Sequence, residues 1–302
     1  MSTTHLKRNL IENDLSWALG GLQPAAKVEA GWVFVPPAPG IAHGTAALED
    51  DWLVLSVPVS SDSRISTSFQ RGGHWSLAVR TGELAGGSKL QVIDNLSSLH
   101  LRNEIWVGNG RQAAAVIDSG CHLFREGLYT LVGHPGTEVS GEITDQVPIS
   151  LAELEDMAAS EGWILEQRDS GDLVTSLDLG HRGVYQIRLR CEPGGHLRAW
   201  TEILGEQELD PACRQALGLL LAKANDQLRL VRGAVFRNGQ NASLRFEVLQ
   251  RAPFSPEQIN LMLSSLTAAC WKCGPEIRLL AHREIAQRYL KSFGTAQLAI
   301  PA

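Results

Sequence analysis

His100-Leu101-Arg102-Asn103-Glu104-Ile105 has a counterpart in the second half of the chain, Ser243-Leu244-Arg245-Phe246-Glu247-Val248. Only Leu, Arg and Glu are shared, but the offset that lays Leu101 on Leu244 carries the surrounding pattern with it. Residues 75–80 fall on 218–223, both helix-like, and Gln91-Val92-Ile93 falls on Ala234-Val235-Phe236, both strand-like. Residues 111–131 fall on 254–274 and residues 6–19 on 149–162, each pair helix-like. One constant spacing that preserves the order of elements points to a tandem duplication.

The second copy is the easier to read. Ser150 and Glu153 have the spacing of a capping box, in which each side chain satisfies an orphan backbone donor, and Leu151, Leu154, Met157 and Ala158 follow as a helical stripe. Trp163-Ile164-Leu165 opens a strand region that continues through residues 173–179. Tyr185, Ile187, Leu189 and Cys191 then alternate with Gln186, Arg188 and Arg190, the signature of a half-buried strand. Pro193-Gly194-Gly195 turns the chain, and Leu197, Ala199, Thr201 and Ile203 alternate with His196, Arg198, Trp200 and Glu202. Asp210-Pro211 starts a helix that runs to residue 227, and strands at 230–237 and 242–249 meet at Asn238-Gly239, a tight-hairpin pair. Ser255-Pro256-Glu257-Gln258 starts a third helix, expected to stop at Gly274-Pro275.

The first copy repeats this order. A helix at 6–19 ends at Gly20-Gly21, and strands at 28–35 and 52–59 flank a proline-bearing stretch, 36–50, with room for a short middle strand. A helix at 69–80, a hairpin of 89–93 with 99–107 and a helix at 111–131 complete it. The expected fold is α+β: two tandem α-β-β-β-α-β-β-α domains, each an antiparallel sheet packed with helices, plus a C-terminal helix. The domains are residues 1–132 and 149–275, joined by a linker at 133–148 and followed by a helix and tail at 276–302.

Composition leaves room for this. The 302 residues are 44% hydrophobic and 20% charged, enough for two cores. The net charge of −6 argues against an electrostatic grip on nucleic acid or an anionic membrane. No window approaches the roughly 20 apolar residues of a membrane span, and Met1 to Arg8 lack the apolar core of a signal peptide. Five scattered cysteines suit a reducing compartment, so a cytoplasmic location is expected.

Candidate chemistry is sparse. Cys270-Trp271-Lys272-Cys273 has redox or thiolate-metal spacing, but Ile259, Met262, Leu263, Leu266, Cys270 and Cys273 form one helical stripe. That places both sulfurs inward near a helix C-terminus, where thiolate is disfavoured and cysteine packs as a small hydrophobe. The nine histidines show no HxxxH spacing, no G-x-S-x-G elbow is present, and Gly86-Gly87-Ser88-Lys89 lacks the frame of a P-loop. No cofactor and no metal is implied. The outward side of the second sheet is the more informative region. It should carry Arg188, Arg190, Arg198, Trp200, Glu202, Arg245 and Glu247, with Trp52, Arg102 and Trp106 in the first copy. Exposed Trp and Arg are common interface anchors, so Trp200, Arg198, Arg188, Arg245, Trp52, Arg102 and Trp106 are the candidate partner-binding residues.

This element order, in an acidic domain of this size, resembles the class I type III secretion chaperone fold and the related family of sensory-transduction regulators. The resemblance covers nearly the whole chain, taken twice, and rests on order, strand spacing and acidity rather than on a motif. It implies a bacterial protein-binding module without enzymatic activity, one that holds an extended or partly unfolded segment of another protein. Members of the chaperone family are typically acidic homodimers of single domains, and the chain would resemble such a dimer fused into one polypeptide. Two other readings stand beside it: an enzyme or metal/redox protein using Cys270 and Cys273 in an inter-domain cleft, and a structural subunit of a larger assembly. The contact between copies is expected through a shared sheet surface or through the third helices, 111–131 and 255–273.

Overall fold

The computed structural model describes residues 26–28, 31–36, 43–59, 64–93, 98–108, 113–132 and 149–292. The expected first helix, the linker and the tail after residue 292 lie outside this set.

The alternation read from the sequence becomes two antiparallel sheets. In the first half, β1 (Ala26–Val28), β2 (Gly31–Phe34), β3 (Gly44–Glu49) and β4 (Trp52–Pro58) form a meander. Helix α1 (Arg64–Glu83) crosses over, β5 (Lys89–Ile93) and β6 (Ser98–Trp106) form a hairpin, and α2 (Ala113–Leu131) closes the half. The second half adds α3 (Leu151–Ser160), β7 (Glu166–Gln167), β8 (Leu173–Asp178), β9 (Val184–Glu192) and β10 (His196–Glu208). It continues with α4 (Pro211–Gln227), β11 (Arg232–Asn238), β12 (Asn241–Arg251), α5 (Pro256–Leu280) and α6 (Arg283–Ser292). The sheet orders are β1-β2-β3-β4-β6-β5 and, in the same direction, β7-β8-β9-β10-β12-β11. Strand for strand these are one topology used twice. Four strands, not three, precede each crossover helix: β3 occupies the proline-bearing stretch, and the expected 28–35 strand is divided between β1 and β2.

Each sheet buries one face under its own helix. In the first half Leu53, Leu55, Val57, Leu101 and Ile105 pack against Ile117, Cys121, Phe124 and Leu128 of α2. Phe34 meets Phe124 edge-on at 6.3 Å. In the second, Tyr185, Ile187, Leu189, Leu197, Ala199 and Ile203 pack under Ile259, Met262, Leu263, Leu266, Cys270 and Cys273 of α5. The caps form as their residues dictate: Ser150 with Glu153, Ser255 with Gln258, and Asp210 accepting from the Ala212 amide.

Helix α5 corrects a boundary. It does not stop at Gly274-Pro275 but runs through to Leu280, so the expected 275/276 boundary falls inside it and only α6 is a separate C-terminal helix. Pro275 has no N–H to give the Trp271 carbonyl one turn back. The Arg182 guanidinium donates to that carbonyl instead, at 2.7 Å. Gly274 is where the Tyr185 ring presses on the helix and leaves no room for a Cβ. Among the described residues no helix is long and apolar enough to cross a membrane.

Candidate partner-binding site

The two halves meet mainly through their crossover helices, with α1 also packed on β11 and α2 touching β12, and not through a shared sheet or a pairing of the two third helices. Helices α1 and α4 cross where Gly218 lies on the backbone of His74 and Trp75, leaving no space for a side-chain carbon. The offset that lays Leu101 on Leu244 also lays Trp75 on Gly218, so two equivalent positions touch each other. Equivalents that touch mark the axis of a two-fold contact.

A buried ion pair flanks this crossing on each side. Lys89 bonds Glu104 at 2.7 Å, and Arg232 bonds Glu247. The two pairs occupy equivalent positions of the repeat, and all four side chains are almost fully buried. Each cation also reaches into the other half. Lys89 Nζ donates to the Leu228 carbonyl at the end of α4, at 2.5 Å. Arg232 Nη1 donates to the Leu84 and Ser88 carbonyls just past the end of α1, at 3.0 and 3.1 Å. A cation at a helix C-terminus meets both the orphan carbonyls and the favourable end of the helix dipole. Burial lowers the Lys89 pKa, with Glu104 opposing the shift. Burial alone would raise the Glu247 carboxyl, but Arg232 and Arg198 outweigh it and hold Glu247 below its ordinary range.

The seam redistributes the seven candidate residues. Trp52 and Trp106 face each other across β4 and β6. Arg229 of the second half lies over the Trp52 ring at 5.7 Å and bonds Glu49 at 2.8 Å. Arg102 bonds Glu104 at 3.1 Å, so Trp52 and Arg102 border the seam rather than an open face. In the second half Arg198 is gripped by both oxygens of Glu192, at 2.6 and 3.1 Å, and bonds Glu247 at 3.0 Å. Arg245 lies 4.8 Å over the Phe236 ring and 3.6 Å from Glu202. Glu247, expected on an open face, is 1% exposed, because the seam covers that end of the sheet.

What stays open is the face of β8, β9 and β10. Arg188 is exposed and pairs in register with Trp200, which is half-buried. Arg190 lies over the Trp200 ring at 5.4 Å and is held by both oxygens of the buried Asp172, at 2.6 and 3.1 Å. That grip by Arg190 keeps the Asp172 carboxyl below its usual range. Trp200 is thus a flat apolar surface fixed between an anchored arginine and an open one.

The cysteine pair belongs to the core. Cys270 and Cys273 are both buried in the second hydrophobic cluster, and burial pushes the Cys270 thiol up to about 12. Among the described residues no cluster of His, Cys, Asp and Glu is arranged to hold a metal ion.

Sequence reading missed the seam. Its signal was available: Glu104 and Glu247 sit in the repeated hexapeptide, and Lys89 and Arg232 are basic at the same offset. Neither the protein-family models nor the curated proteins compared with the chain match it.

Proposed function

We propose that this chain is a non-enzymatic, chaperone-like or adaptor-like protein-binding module, built as a pseudo-dimer in one polypeptide and working in the cytoplasm. The observation that carries the reading is the isologous contact at Gly218 and Trp75, with equivalent ion pairs on either side. A contact of that kind is how a homodimer of single domains joins, and a fused dimer is what the resemblance to the secretion chaperones implies. The proposed partner surface is the open face around Trp200, with Arg188 and Arg190 beside it. An extended protein segment would lie across the strands there, its apolar groups on the indole and its carboxylates on Arg188. Arg198 is withdrawn from this surface because it serves the Glu192 and Glu247 network.

The test is capture from the native host with tagged full-length protein. Trp200→Ala combined with Arg188→Ala should keep the wild-type circular dichroism spectrum and lose the specific partner by at least tenfold in quantitative mass spectrometry. Undiminished partner recovery by the folded variant would move the binding surface elsewhere.

A further inference from the structure

A second surface of different character lies at the far end of α5. Exposed large apolar side chains are few among the described residues, and three of them gather here: Val184 at 60%, Trp271 at 53% and Leu279 at 51%. Trp271 and Leu279 share one ridge of α5 through Pro275. Arg182 stacks on the Trp271 ring at 4.1 Å. Arg278 lies over Tyr185 at 4.4 Å and donates to the Val184 carbonyl at 3.3 Å.

Two properties set these arginines apart. Each is fixed in place by an aromatic ring and a main-chain carbonyl, so little side-chain freedom remains to be lost on binding. Neither forms an ion pair with a described residue, whereas Arg80, Arg102, Arg190, Arg198, Arg229, Arg232 and Arg245 all do. Exposed Lys272 adds a third cation, offset by exposed Glu276 one turn further on, so Arg182 and Arg278 carry the positive charge of the site. In a chain of net charge −6, this is a local positive site beside an exposed indole.

We infer that this surface docks an acidic segment of another protein, with an apolar side chain on Trp271 and Val184 and carboxylates on Arg182 and Arg278. Charge-assisted bonds to preorganised guanidinium groups supply the orientation, and the indole supplies the apolar anchor. The inference rests on the protein-binding reading but names a different surface from Trp200.

The experiment uses the full chain and two fluorescently labelled peptides, one alternating glutamate with phenylalanine and its lysine counterpart, read by anisotropy. The glutamate peptide should bind, weaken steeply with added salt, and lose at least tenfold in affinity with Trp271→Ala and with Arg278→Glu. The lysine peptide should not bind. Arg182 is left intact because it completes α5 at Pro275. Equal affinity in folded Trp271→Ala and Arg278→Glu, equal binding of the lysine peptide, or absence of glutamate-peptide binding each overturns the inference. Loss on Trp200→Ala alone would overturn it too, while leaving the proposed Trp200 surface standing. If either variant unfolds, Leu279→Ala at an exposed position of the same ridge takes its place, and unchanged glutamate-peptide affinity in it overturns the inference.

Discussion

Arg232 carries the most concentrated set of interactions in the seam: the Glu247 carboxylate on one side, the Leu84 and Ser88 carbonyls of the other half on the other. Removing one partner of a buried pair strands the other, which typically costs about 3–5 kcal/mol. Arg232→Met should therefore lower stability by that order in urea unfolding, reduced where Arg198 still holds Glu247. The carboxylates also set an acid limit. Glu247 and Asp172 are both held below their ordinary values. Their contribution is complete above about pH 4 to 4.5 and is lost as the pH falls through the lower values of the folded state. Glu247→Gln should flatten the fall of unfolding free energy between neutral pH and pH 3, measured by urea titration at each pH. The thiols report burial in a second way. Cys121 and Cys270, each pushed up to about 12 by burial, should resist alkylation in the native protein. Half-buried Cys191 should react first, as followed by peptide mass spectrometry.

At the scale of elements, the crossing of α1 and α4 depends on one missing side chain. Gly218→Ala places a methyl group against the Trp75 backbone and should destabilise the protein by about 1–3 kcal/mol, the usual cost of overpacking. Thermal unfolding checks this, with Gly205→Ala, at an exposed strand position without a positive φ and with room for a methyl group, as a control for loss of glycine alone. The elements themselves were legible wherever one face is wet. The period of two in β9 and β10 and the caps at Ser150, Asp210 and Ser255 are local, and the chain obeys them. Two features escaped the local patterns. Helix α5 passes Pro275 because a donor from residue 182, far away in sequence, replaces the missing amide. The seam hid behind polar residue types: Lys89, Arg232 and Glu247 read as surface until a second half covers them. Of the seven candidate binding residues, alternation could assign a face of the sheet. It could not say which part of that face the other half would occupy, and that decides between Trp52 at the seam and Trp200 on the open side.

For the whole molecule, the constant repeat spacing proved the most informative feature of the sequence, since it relates the two topologies, the two ion pairs and the crossing point. The two-fold arrangement is imperfect. Ser119 on α2 bonds the Arg251 and Ala252 carbonyls, at 2.8 and 3.2 Å, and α6 packs on α4 and α5 of the second half. The halves have diverged around a common contact. Because both sides of that contact belong to one polypeptide, its formation is a unimolecular event. A dimer of separate domains falls apart when its protomers are diluted below their dissociation constant, whereas a tether fixes the effective concentration of each half for the other. A cell holding only a few copies of this protein would still hold each one assembled. Pairing of like with like is also suppressed, which frees either half to specialise without losing its mate.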